Sequence, residues 1–148
     1  MRWREFIAAL GGAAAWPLAA QAQTATPVIG YVSGRSADSE APLREPVLKS
    51  LEEAGFVAGR NFTIEYRHAK GRDDRLPKLA SELVRRRVAV LIATDNNSAV
   101  AAKAATSTIP IVFGTGDDPV RLGLVASLNQ PGGNATGVYV FTSRGPSA

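Results

Sequence analysis

The sequence predicts an α/β domain, a three-layer, Rossmann-like (flavodoxin-like) arrangement built on a mostly parallel five-stranded sheet. Three observations carry this expectation. Residues 88–93 are a continuous apolar, β-rich run, the pattern of a strand covered by helices on both faces. Residues 94–98 then offer several N-capping side chains in succession and open an Ala-rich segment, 99–105, of high helix propensity. A second apolar run, 109–113, admits Pro110 at its entrance and ends in the polar turn 114–119, with Pro119 suited to the first position of a further helix.

The remaining elements follow in order. Residues 28–33 form the first strand and leave through the polar turn 33–36. Leu43, Val47, Leu48, Leu51 and Ala54 make a helical stripe that ends at Gly55, and Pro46 places the helix start near Arg44 or kinks its first turns. Residues 62–67 alternate apolar and polar, as a half-exposed edge strand does. Leu76, Leu79, Ala80, Leu83 and Val84 fall at helical spacing, and Arg85, Arg86 and Arg87 read as the solvated end of that helix. Leu124, Val125 and Leu128 suggest a fourth helix over 120–128, and 135–141 a fifth strand. Right-handed crossovers then give the strand order 2-1-3-4-5. Its switch point brings the turns 33–36 and 94–98 together, joined by 115–118, at the edge where such sheets hold ligands.

The chain has 148 residues, no cysteine, 45% hydrophobic residues and a formal charge of +4, which fits one domain without disulfides. Its basic residues are scattered, so no nucleic-acid partner is expected. Residues 1–22 read as a secretory signal peptide: Arg2 and Arg4, the apolar run 6–16, and Ala20-Gln21-Ala22 as a cleavage pattern. The run is too short to span a bilayer, and no membrane insertion is expected after cleavage. Trp3 stands where a twin-arginine signal would have its first arginine, which leaves the export route open.

No nucleophile elbow, P-loop or metal-ligand spacing is present, so the expectation is no catalytic residue, no metal and no cofactor. Gly114-Thr115-Gly116 lacks the third glycine of a dinucleotide fingerprint, and His68, the single histidine, reads as a surface residue. A phosphate-receiver domain would match Asp95 and Thr115 but needs an acidic pair where Ser33-Gly34-Arg35 stands and a lysine after the fifth strand. The expected ligand-binding residues are Ser33, Gly34, Asn96, Asn97, Ser98, Thr115, Asp117 and Asp118. Backbone N–H groups at Asn97 and Ser98 are expected to hold a ligand carboxylate. A second reading is an exported α/β enzyme or sugar-sensing domain using Asp117 and Asp118, although an Asp before a helix-opening Pro more often serves as a cap.

Several segments carry a family resemblance: Arg4-Glu5-Phe6-Ile7, Ala54-Gly55-Phe56, Gly59-Arg60-Asn61, Glu65-Tyr66-Arg67, Asp74-Arg75-Leu76-Pro77, 102–113, Asp118-Pro119-Val120, 123–129 and 131–138. The chain resembles the substrate-binding proteins of ABC importers of the tryptophan/tyrosine-type (TrpX-like) family. The resemblance implies the N-terminal lobe of a type I periplasmic binding protein over 23–142, with 143–148 an irregular tail and the second lobe absent. It also implies a periplasmic, non-catalytic protein that binds a small organic ligand, an amino acid among the possibilities, and partners an ABC permease as a full two-lobe protein. Members usually carry Gly-Gly-Thr-Pro where this chain has Asp95-Asn96-Asn97-Ser98, which leaves ligand identity open. Cleavage after Ala22 gives an exported protein beginning at Gln23. N-terminal sequencing of the periplasmic species checks this, and a species retaining Met1 contradicts it.

Overall fold

The computed structural model describes residues 26–140, so the expected signal peptide and the 143–148 tail lie outside the described residues. Five parallel strands form one sheet in the order β2-β1-β3-β4-β5. They are β1 (Val28–Ser33), β2 (Thr63–His68), β3 (Val90–Ala93), β4 (Ile111–Thr115) and β5 (Ala135–Tyr139). Three α-helices connect them: α1 (Ala37–Glu53), α2 (Leu76–Arg85) and α3 (Asn96–Ala105). The order is the one expected from the sequence.

The expected fourth helix is not there. Residues 120–128 are turns, because Leu124 N–H returns to Pro119 O and Gly123 takes a φ of 75°, which closes a single helical turn before it can propagate. Leu124 is nevertheless buried and packs into the core, while Leu128 is 60% exposed. Val125 and Leu122 also pack against the core, so the apolar residues anchor a turn and not a helical stripe.

The first helix also departs from expectation. It starts at Ala37 and runs through both Pro42 and Pro46, with Ser36 as its N-cap. Both prolines are exposed and four residues apart, so the N–H missing at Pro46 is the partner of the Pro42 carbonyl, which water can satisfy. Its sheet-facing side is also shifted. Glu40 is buried and Ala41, Arg44, Leu48 and Leu51 are half-buried, whereas Leu43 and Val47 are 52% and 48% exposed.

The two faces of the sheet are unequal. Val32, Leu91, Ala93, Ile111 and Phe113 point to one face and pack with Leu76, Ala80, Leu83, Ala99 and Ala102 of α2 and α3 into one apolar core. The opposite face carries Tyr31, Ser33, Tyr66 and His68 under α1. Farther along that same face Val112 and Val138 are 42% and 67% exposed. The three-layer arrangement is thus complete over β1 and β2 and open over β4 and β5.

The β4–β5 pairing is tight enough to demand a glycine. A Cβ at Gly137 would lie 2.1 Å from the Phe113 carbonyl oxygen and 2.7 Å from its ring. Gly137→Ala is expected to cost about 1–3 kcal/mol by forcing β5 away from the Phe113 backbone. Urea unfolding checks this, and a loss below about 0.5 kcal/mol, the range of ordinary surface substitutions, would show that β5 gives way freely.

Candidate functional site

The turns leaving β1, β3 and β4 meet at the carboxyl edge of the sheet and enclose a cleft of about 610 Å³. Parallel strands all end on this side, and α3 begins there, so polar backbone groups gather at one place. Hydrogen bonds between the turns fix the cleft's shape.

Asp95 joins the first two turns. It is the N-cap of α3, and its Oδ1 accepts from Ser98 N–H at 2.8 Å. Its Oδ2 accepts from Gly34 N–H at 2.7 Å, and the Ser33 hydroxyl lies 3.3 Å away. Ser98 returns the favour by accepting from Asp95 N–H at 3.1 Å, which completes a capping box. Asn96 joins the second turn to the third. Its Oδ1 accepts from Gly116 N–H at 3.0 Å and its Nδ2 donates to Asp117 Oδ2 at 2.7 Å. Asn97 reaches a fourth segment, donating from Nδ2 to Asp73 Oδ2 at 2.6 Å.

Of the residues expected from sequence, Gly34, Asn96, Asn97 and Thr115 line the cleft. Ser33 and Ser98 are fully buried behind it. Asp117 stands beside the cleft on Asn96, whereas Asp118 caps the following turn through Val120 N–H at 2.9 Å. The two neighbouring carboxylates are therefore spent on different bonds, as the capping reading of Asp118 expects. The proposed seat for a ligand carboxylate changes too: Ser98 N–H is already bonded to Asp95, and an anion there would face that carboxylate.

The reading missed Arg35, Asp73 and Asp95, which also line the cleft, and the apolar walls Leu43 and Val140. Asp95 had a visible signal in the Asp-x-x-Ser spacing of a cap. Asp73 had none, since only the crossover from β2 brings its turn beside α3. A Cβ at Gly34 would lie 3.1 Å from Asp73 Oδ1 and 3.4 Å from Asp95 Oδ2, so the two carboxylates flank this glycine. Arg35 is exposed and forms no ion pair among the described residues.

Beneath α1 lies a second polar group of residues. Glu40, in the first turn of α1, is fully buried and accepts a short hydrogen bond from the Ser33 hydroxyl. Burial, and then the negative charge of Glu40, push the Tyr31 hydroxyl well above its ordinary value. His68 is a correction to the surface reading. It pairs with Ser33 across β1 and β2, stacks on Tyr66 at 6.1 Å, and has a buried Nε2 without a hydrogen-bond partner among the described residues. Burial lowers its pKa. Among the described residues no group of three or more His, Cys, Asp or Glu side chains could hold a metal, and no helix is long and apolar enough to cross a membrane.

With this geometry in place, comparison with known proteins is informative. Residues 26–142 match the sequence profile of the family described as ABC transporter substrate binding protein. The tyrosine-binding protein of Clostridioides difficile strain R20291 is 36% identical over 96 residues, covering 65% of this chain and 28% of that protein. A substrate-binding protein with adhesive properties from Clostridium difficile, in its ligand-free, open form, superimposes with a TM-score of 0.74 at 31% identity, over 80% of this chain and 40% of that one. A conserved domain protein of Vibrio cholerae gives 0.71 at 32% identity, over 76% and 38% of the two chains. An ABC domain from Streptococcus pneumonia in complex with L-Trp gives 0.71 at 23% identity, over 78% and 39%, a likeness of fold. The chain thus spans less than half the length of these relatives.

Asp95 is expected to hold the site together. Asp95→Ala removes an N-cap and strands the Gly34 N–H, a combined loss of about 2–4 kcal/mol. Asp95→Asn keeps a capping oxygen and should lose less than half of that. Urea unfolding of both variants checks the order, and equal losses would contradict it.

Proposed function

This chain belongs to the ABC transporter substrate-binding protein family, and from that premise we propose that it binds a small amino-acid ligand in the cleft, without catalysis, for delivery to an ABC permease. The observation that carries the reading is the convergence of three polar turns on one cleft whose side chains are already committed to holding one another. Such a site is built to orient a solute. Asp117 and Asp118 are engaged in turn bonds, which disfavours the exported-enzyme or sugar-sensing reading that used them.

The chemistry of the lining fits a zwitterion. Asp73 and Asp95 face a ligand ammonium, and Arg35 is the available cation for its carboxylate. Leu43 and Val140 offer apolar surface to a side chain, which suits an aromatic amino acid such as the tyrosine named for the Clostridioides difficile relative. Residues 23–142 would serve as the N-terminal lobe, exported by the signal peptide to the periplasm, with a second lobe closing over the ligand.

Residues 23–142 taken alone would supply about half of the contacts that a closed two-lobe cleft makes, so the affinity of that segment by itself is expected near the millimolar range, about −4 kcal/mol. NMR titration of the exported protein with L-tyrosine should shift the amides of Gly34, Asn96 and Thr115 together. Arg35→Ala should weaken the ligand by about tenfold through loss of a charge-assisted bond. Shifts confined to other regions, or ligand turnover that Asp118→Ala abolishes, would overturn the reading.

A further inference from the structure

Glu40 is the one fully buried carboxylate among the described residues, and nothing in the binding scheme above uses it. It occupies the place on α1 where an apolar side chain would complete the packing on Tyr31. Its buried charge has no ion pair among the described residues, since Arg44, one turn on, lies over the Tyr66 ring at 5.1 Å. A group so costly to bury needs hydrogen-bond donors: Ser33 supplies one to Oε2, while Oε1 is buried without a hydrogen-bond partner among the described residues.

Ser33 stands between two carboxylates. Its hydroxyl is bonded closely to Glu40 Oε2 and lies 3.3 Å from Asp95 Oδ2, while its oxygen also accepts from Arg35 N–H at 3.1 Å. A hydroxyl has one hydrogen to donate. Glu40, at the shorter distance, takes it. The Oδ2 of Asp95, which lines the cleft, is then left with the Gly34 N–H as its one close donor.

We propose that Glu40 is a positioning residue that sets the cleft's preference for ligands bearing an ammonium group, by holding the Ser33 hydrogen away from Asp95. The assignment rests on the amino-acid reading above. Two effects act in the same direction: Asp95 keeps acceptor capacity for a cationic donor, and the charge of Glu40 adds to the negative potential from inside the protein, where solvent screens it little. An amide oxygen accepts more weakly than a carboxylate. In Glu40→Gln the hydroxyl therefore turns to Asp95 and satisfies it.

The test compares L-tyrosine with deamino-tyrosine, the same acid without its ammonium group, by NMR titration of the exported protein read at the Gly34 amide. The wild-type protein should prefer L-tyrosine. Glu40→Gln should reduce that preference by about fivefold, mainly through weaker tyrosine binding, as expected for loss of one charge-assisted contact. Because Glu40→Gln could fail to fold, the wild-type preference is also measured in about 1 M salt, where the Debye length is ~3 Å. A preference carried by the buried Glu40 persists there, whereas one set by the exposed Asp73 and Asp117 alone collapses. Equal weakening of both compounds in Glu40→Gln, an unchanged ratio, or collapse in salt overturns the assignment and leaves the amino-acid reading standing. A wild-type protein that binds neither compound overturns both.

Discussion

The carboxylate of Asp95 is the constraint on which the site depends. Three separate parts of the chain end at one edge of a parallel sheet, each with backbone N–H groups that no strand or helix partner satisfies. Asp95 accepts from two of them, Ser98 N–H in its own helix and Gly34 N–H in the turn after β1. One side chain therefore caps α3 and fixes its distance from β1. Asn96 repeats the device toward β4, and Asn97 toward the turn at Asp73. The cleft is what remains between turns tied in this way.

That arrangement also decides the cleft's electrostatics. A helix N-terminus ordinarily attracts an anion, but here a carboxylate of the protein already occupies the position. With Asp73 beside it and Glu40 behind, the inner wall is acidic, and among the described residues that line the cleft Arg35 is the one cation.

The unequal faces of the sheet have a simple origin. Crossovers from β2 to β3 and from β3 to β4 run in the same direction across the sheet, and right-handedness puts α2 and α3 on the same side. Only the first crossover runs the other way, so α1 alone lies on the opposite face, over β1 and β2. Its inward side can be polar at the N-terminal end because it packs on Tyr31, Ser33, Tyr66 and His68, which present hydroxyls and a ring nitrogen as well as apolar surface. Val112 and Val138 lie beyond its reach and stay exposed.

Local chemistry made the strands, the start of α3 and α2's apolar stripe legible in the sequence, because each depends on neighbours within a few positions, and the handedness of crossovers supplied the strand order. The same locality exposed Gly34, Asn96, Asn97 and Thr115 as cleft residues, since each sits in the polar turn that ends a strand. It misled at 120–128, where apolar spacing concealed a turn closed by Gly123, and at Leu43 and Val47, where a plausible stripe points to solvent. Asp73 beside Asn97, His68 beside Tyr66 and Tyr31, and Glu40 buried on Ser33 were decided only by tertiary structure. A charged residue in a helix reads from sequence as solvent-facing. Whether it is buried depends on which strands lie under the helix and what they can offer its oxygens, and that is settled by the register of β1 on β2 and the path of the chain above them.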